Sequence, residues 1–197
     1  MATTNTPTSH REELGLIVNL ADRQFTIAAV LITIGVPILA YLSGITSLMF
    51  YTHVALGAFW FGLDFFFKFV LGPSLDAAPD DAASAVNHQL VPKMITLAEP
   101  LSIGVIGSGI GLASVLGYWA NPTIWLWGSL GIGVLMLIVG FGPLHIVTTK
   151  MAVELNKDSP DGERINALFG KAQQWGLLQT VFMLAIIVMM VGLRGLL

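Results

Sequence analysis

Three ionisable residues interrupt one apolar stretch of this 197-residue chain. They are His53, Asp64 and Lys68. A charged group in membrane hydrocarbon is costly unless it is paired or functional. A helix turns by about 100° per residue, so one of its faces carries His53, Gly57, Trp60, Asp64 and Lys68. We therefore expect that face to point into a helical bundle rather than at lipid.

His53 is the candidate metal ligand of this face. A neutral imidazole binds haem iron well. Gly57, one turn further on, would leave a flat recess beside the imidazole ring, and Trp60 would form one wall of this recess. Such a recess suits a planar molecule, for example a porphyrin. The same residues also suit a lone histidine bonded to a neighbouring helix, with Asp64 and Lys68 as an ordinary ion pair. The residues by themselves leave both interpretations open.

A second polar group is predicted near the other end of the same membrane segments. Lys93, Glu99 and His145 should lie at the depth of Asp64 and Lys68. Glu99 precedes Pro100 and His145 follows a Gly-Phe-Gly-Pro sequence, and both features loosen the helical hydrogen bonding. Such a group could move protons or bind an anionic substrate. An interfacial network of ion pairs is the alternative.

The two histidines are predicted to lie at different depths. His53 is about 10 Å into its segment and His145 about 33 Å into its own, counted from the same side at 1.5 Å per residue. Two axial ligands of one haem cannot be separated by a mismatch on the order of 20 Å. A second ligand for His53 would have to come from elsewhere, and Met183, Met189 and Met190 are the candidates.

The composition is that of a membrane protein. Hydrophobic residues make up 55% of the chain and charged residues 11%, whereas a soluble domain carries about 25% charged residues. A membrane-crossing helix needs about 20 apolar residues. Five segments qualify, which predicts an all-α, polytopic transmembrane bundle: Phe25–Ser43, Thr46–Gly72, Met94–Tyr118, Thr123–Thr148 and Leu168–Leu193.

Two further helices are predicted outside these spans. In the N-terminal segment, residues 1–24, Ser9 and Glu12 have the spacing of a capping box, which predicts a cytoplasmic or interfacial helix. Residues 25–197 form the transmembrane domain. The connection from Pro79 to Val91 has a weak apolar stripe and is predicted to be helical.

Charge predicts the orientation in a cell membrane. Eight Lys and Arg residues fall on the N-terminal side of the spans and only Arg194 on the other, so we expect a cytoplasmic N-terminus and an outside C-terminus. The net charge of −3 argues against a nucleic-acid partner. The absence of cysteine excludes disulfides and iron–sulfur clusters. The expected partners are the lipid bilayer and, as open alternatives, other membrane subunits or further copies of the chain.

One sequence pattern resembles a known family. The pattern H-x6-W-x-G-x-x-F-F, followed by F-V-L-G-P, begins at His53 and ends at Pro73. It resembles the first helix of a loose superfamily that includes HemJ-type protoporphyrinogen oxidases, CopD-type copper-resistance proteins and the membrane part of cytochrome-linked urate oxidases. Similarity continues through LVPKMITLAEPLSIGVIGSGIGL and covers about residues 46 to 195.

The resemblance implies a four-helix core preceded by one additional span. It also implies haem b with His53 as axial ligand, and hence a redox protein, such as an oxidoreductase, or a subunit of a redox complex. In such a protein Asp64, Lys68, Glu99 and His145 would move protons or contact the substrate. Lys68 and Gly72-Pro73 stand where HemJ-type proteins usually have an Arg and a Tyr-His pair. The alternatives are a non-catalytic membrane subunit or scaffold without a cofactor, and a CopD-like copper-handling protein.

Overall fold

The computed structural model describes residues 10–196, and that range is built from helices. A short helix, α1, precedes five helices that are long and apolar enough to cross a membrane. The bounds are α1 His10–Ala21, α2 Arg23–Leu42, α3 Thr46–Asp76, α4 Asp80–Val115, α5 Ile124–Leu155 and α6 Gly162–Leu193. The all-α, five-span prediction is confirmed.

The last four helices form a closed core. Helix α3 packs against α4, α4 against α5, and α5 against α6, which returns to α3. Helix α2 lies outside this ring, mainly on α4, and its last residues contact α3. Large apolar side chains such as Leu39, Leu42 and Ile124 are exposed on the outer surface, where lipid would cover them. The arrangement is a four-helix core with one additional N-terminal span.

The connection predicted to be helical between Pro79 and Val91 is helical from Asp80 onward and forms the first part of α4. Helix α4 begins at Asp80 and runs without a break through Pro92 and Pro100. The Thr96 hydroxyl donates to the Pro92 carbonyl at 3.1 Å, within the stretch between the two prolines. The helical prediction is confirmed. This helix is continuous with the next span because hydropathy marks only the part of a helix that lies inside hydrocarbon.

A glycine allows α2 to approach α4 closely. A Cβ atom built on Gly104 would lie 1.8 Å from the Thr33 carbonyl oxygen, which no side chain can tolerate. A Cβ on Gly111 would lie 2.8 Å from the Met49 side chain. One on Gly107 would meet nothing within 4 Å. Helix contact therefore depends on Gly104 and Gly111, as small residues in membrane helices often provide.

Helix α1 packs against one end of the core. Ile17 and Ala21 are buried, and Ile17 belongs to an apolar cluster with residues of α4 and α5. The other buried members of that cluster are Val91, Ile95, Met151, Ala152 and Leu155. The predicted interfacial helix thus contacts protein along its apolar face. Ser9, the first residue of the predicted capping box, lies outside the described residues.

Within the described residues, three spans contain a π-helical turn near a proline. These turns are Leu31–Gly35, Phe67–Leu71 and Gly140–Leu144, near Pro37, Pro73 and Pro143 respectively. A proline lacks the N–H of a regular helix, and the π turn shifts the bonding to a carbonyl five residues back. The Gly72 N–H, for example, donates to the Phe67 carbonyl. Two of the turns position polar residues, because Lys68 lies in one and His145 directly follows another.

Candidate functional site

Four candidate residues from three helices line one cavity. This large cavity, of about 250 Å³, lies among α3, α4, α5 and α6, near the end covered by α1. Asp64 and Lys68 reach it from α3, Glu99 from α4 and His145 from α5. Most of its wall is apolar, including Leu63, Phe67, Ile95, Leu144 and Phe169. An apolar cavity with a few convergent polar groups is the usual form of a small-molecule site.

Glu99 and His145 form a hydrogen-bonded pair across α4 and α5. The His145 Nδ1 atom contacts the Glu99 Oε1 atom, and both side chains are partly buried. Because a carboxylate only accepts hydrogen bonds, the neutral imidazole carries its proton on Nδ1 and keeps a lone pair on Nε2. The backbone leaves helical geometry at Gly142, with φ −94° and ψ −109°, and this kink sets the direction in which α5 continues from His145.

Asp64 and Lys68 form a second pair on α3, held from α6. Lys68 Nζ donates to Asp64 Oδ1, and the Thr180 hydroxyl donates to Asp64 Oδ2 at 2.6 Å. The Lys68 side chain lies across Gly176, where a Cβ atom would be 2.9 Å from Lys68 Cε. The predicted i,i+4 pair is therefore present, and α6 supplies both a hydrogen bond and the space that it needs.

Sequence reasoning missed the contribution of α6. Gln173, Gly176 and Gln179 line the large cavity, and they are spaced three residues apart on one face of the helix. Gln179 is 4% exposed, and among the described residues its Oε1 atom has no hydrogen-bond partner. The signal that the sequence offered was the presence of two glutamines, Gln173 and Gln179, on one helical face of an apolar span. Lys93, which the depth argument grouped with the four candidates, does not line the cavity.

His53 lines a different, small cavity of about 80 Å³. Its Nδ1 atom lies 3.1 Å from the Val105 carbonyl oxygen and 3.0 Å from the Ser108 hydroxyl, both on α4. A carbonyl only accepts, so Nδ1 carries the proton and Nε2 keeps its lone pair. The partners that orient the His53 ring are therefore both on α4.

Neither Gly57 nor Trp60 lines the small cavity beside His53. The space next to Gly57 is open, since a Cβ atom there would meet nothing within 4 Å, but it does not belong to that cavity. The imidazole packs on Gly109 of α4 instead, where a Cβ atom would lie 3.0 Å from His53 Cε1. Trp60 lines the large cavity, two turns further along α3. Residues on one helical face are therefore divided between two cavities, because that face spans more than one layer of the bundle.

An apolar layer separates the two cavities. Each core helix contributes to it: Leu56, Trp60, Leu101, Met136 and Met183. On α4, the partner of His145 is Glu99 and the partners of His53 are Val105 and Ser108, which places the two histidines about 9 to 14 Å apart along the helix. The separation is shorter than the predicted one, yet the histidines still occupy different cavities.

The surroundings of His53 offer the hydrogen bond that a haem-binding histidine usually makes, but they do not offer the space that a haem needs. A metal-binding histidine usually donates its second ring N–H to a carbonyl or carboxylate, as His53 can. The small cavity, at about 80 Å³, is well below the roughly 300–1,000 Å³ of typical ligand sites, so a porphyrin does not fit between these helices. Of the three candidate methionines, Met190 lines this cavity. Haem b at His53 stays a prediction from the resemblance.

A multidentate metal site is absent from the part of the chain that the structure describes, where no three His, Asp or Glu side chains are grouped to hold an ion. Copper handling therefore has no ligand cluster to support it here. In comparisons with known proteins, no family model, no curated protein and no solved structure matches this chain. The function has to be argued from the geometry of the two cavities.

Proposed function

We propose that this integral membrane protein binds a small, mainly apolar molecule in the large cavity and takes a proton from it at His145. The observation that carries the proposal is the Glu99–His145 pair, which lines a cavity with otherwise apolar walls. A volume of about 250 Å³ is close to the lower end of small-molecule sites. Apolar walls bind the body of the ligand, and the pair reacts with its polar group.

His145 acts as the general base in this proposal. Its Nε2 lone pair accepts the proton of a ligand O–H group, so that one O–H bond breaks and one N–H bond forms. Glu99 holds the ring by its Nδ1–H and stabilises the positive charge that the imidazole gains. Neither residue needs to leave its present hydrogen bond during this step.

Lys68 stabilises the anion that remains after the proton has moved. Its ammonium group donates one N–H to Asp64 and has further N–H groups for an anionic oxygen. The bond from Thr180 holds Asp64 in place, so the ammonium is oriented before a ligand arrives. Charges fixed in advance in an apolar site stabilise developing charge more strongly than mobile ones in water.

The rival interpretation is a membrane subunit or scaffold in which both pairs are structural. In that case the cavity has no ligand, and changing Glu99 or Lys68 would loosen the helix packing. The two interpretations differ in whether a molecule binds in the cavity without any change in folding.

The test uses 4-nitrophenol, whose phenolate is yellow, with protein purified in detergent. We expect the phenolate band to grow when wild-type protein is added at a pH below the pKa of the probe. Ala98 lines the large cavity on α4, so Ala98→Phe should fill the space and abolish the response. Ala58 is exposed on the outer face of α3, so Ala58→Phe is the matched control and should respond like the wild type. A response that is equal in the wild type and in Ala98→Phe would contradict the proposal.

A further inference from the structure

Gln179 has a polar group that the protein itself does not satisfy. Its side chain is 4% exposed and lines the large cavity, and its Oε1 atom has no partner among the described residues. A buried polar atom without a hydrogen bond is destabilising, and such atoms are rare in folded proteins. The neighbouring Thr180 shows the contrast, because its hydroxyl donates to Asp64 at 2.6 Å. A ligand that brings a hydrogen-bond donor to Gln179 removes the deficit.

Two residues that each have a free hydrogen-bond acceptor therefore line the same cavity from different helices. The acceptor of His145 on α5 is its Nε2 lone pair, and that of Gln179 on α6 is a buried amide oxygen, which a turn of the side chain would bring to a ligand. The remaining walls are mostly apolar, including Leu63, Phe67 and Phe141. A molecule that matches both acceptors has two hydroxyl groups on an apolar body, and a flat aromatic ring provides such a body with little flexibility to lose on binding.

We infer that the ligand of the large cavity is a hydroquinone-type molecule, with one hydroxyl donating to His145 and the other to Gln179. This inference rests on the proposed function and adds the class of ligand and a second residue that selects it. A quinone, which has carbonyl oxygens in place of hydroxyls, donates to neither acceptor and should bind more weakly.

The test compares hydroquinone with 4-methoxyphenol, in which a methyl ether replaces one hydroxyl. Affinities are measured by calorimetry in detergent without oxygen, with Ala98→Phe as the blank for partition into micelles. We expect the wild type to prefer hydroquinone about fivefold, the effect of one additional hydrogen bond. In Gln179→Leu the preference should disappear, and that variant should fold because it loses an unsatisfied polar group. Gln174 is exposed on the same helix, so Gln174→Leu should keep the preference.

Each other outcome overturns a specific statement. Equal affinity of the two compounds for the wild type would exclude the second hydrogen bond but leave ligand binding at His145 intact. A preference that persists in Gln179→Leu would mean that another group selects the hydroxyl. Absence of any binding beyond the Ala98→Phe blank would contradict both the inference and the proposed function.

Discussion

At the scale of single residues, the two buried histidines differ in the partner of Nδ1. His145 is held by the Glu99 carboxylate, whereas His53 is held by the Val105 carbonyl and the Ser108 hydroxyl. A carboxylate stabilises a protonated imidazole much better than neutral oxygens do. The His145 ring therefore has a charged partner for a positive charge that it gains in the proposed step, whereas the His53 ring has only neutral partners.

Glu99→Gln tests the role of this charge. Glutamine has the same size and can still bond to His145 Nδ1, but it has no negative charge. We expect 4-nitrophenol to bind while its phenolate band falls by about tenfold, since hydrogen bonds to charged groups contribute about 1.5–3 kcal/mol. The measurement is the absorption titration, with circular dichroism as the check on folding. Loss of the folded protein would instead favour a structural role for the pair.

His53→Ala and His145→Ala test the haem prediction. If haem b binds at His53, the purified wild type has a Soret band, His53→Ala lacks it and His145→Ala retains it, because the two histidines line separate cavities. Absorption spectra of the oxidised and reduced proteins are the measurement. Loss of the band only in His145→Ala would contradict the assignment to His53. A colourless wild type would contradict the resemblance and agree with the small volume beside His53.

At the scale of helices, close packing depends on a few positions rather than on a whole stripe of small residues. Gly104 lets α2 contact α4 through the Thr33 carbonyl, which belongs to the π-helical turn Leu31–Gly35. At the other end of α2, Gly44 has φ +70°, a conformation that other residues rarely adopt, and it reverses the chain within a short turn into α3. The additional span is thereby held against the core at two places.

Gly104→Ala should loosen α2 without affecting the large cavity. The added methyl group would overlap the Thr33 carbonyl oxygen, so we expect the free energy of unfolding to fall by about 1–3 kcal/mol. Gly107→Ala is the control, because its methyl group meets nothing within 4 Å and should change stability by less than about 0.5 kcal/mol. Denaturant titration in detergent measures both. Equal stability of the two variants would show that the helices separate at little cost.

At the scale of the whole molecule, the large cavity is closed toward one end of the bundle. The apolar layer that includes Leu101, Met136 and Met183 separates it from the small cavity, and these side chains are almost fully buried. Protons and ligands therefore have no polar path through the middle of the bundle among the described residues. In the proposed function, ligands and protons would exchange from the half of the bundle that contains α1 or from the lipid, which suits a binding site better than a transmembrane channel.

The charge distribution predicts which side of the membrane this half occupies. Most Lys and Arg residues lie toward the end that contains α1, so that end should be cytoplasmic, and five spans should place the C-terminus outside. A reporter that is active only outside the cytoplasm, fused after Leu197, should be active. A reporter active only in the cytoplasm is the control and should be silent. The reverse result would contradict the orientation and place the large cavity on the outer side.

The amino-acid sequence by itself determined the number of spans, the helical class and the approximate depth of the polar residues. These properties are local, since about 20 apolar residues cross the hydrocarbon and the count along each span gives depth. For this reason the sequence places Asp64, Lys68, Glu99 and His145 at one depth, and all four line one cavity in the structure. Their role in catalysis or binding stays a prediction.

Only the tertiary structure decided which side chains face each other, because the rotation of a helix about its axis depends on packing with its neighbours. The π-helical turns change that rotation partway along a span, and neither hydropathy nor a constant 100° step detects them. The sequence therefore predicted Gly57 and Trp60 beside His53, where the structure has Gly109, Val105 and Ser108. It also missed Gln179, whose place in the large cavity follows from the contact of α6 with α3 and α5.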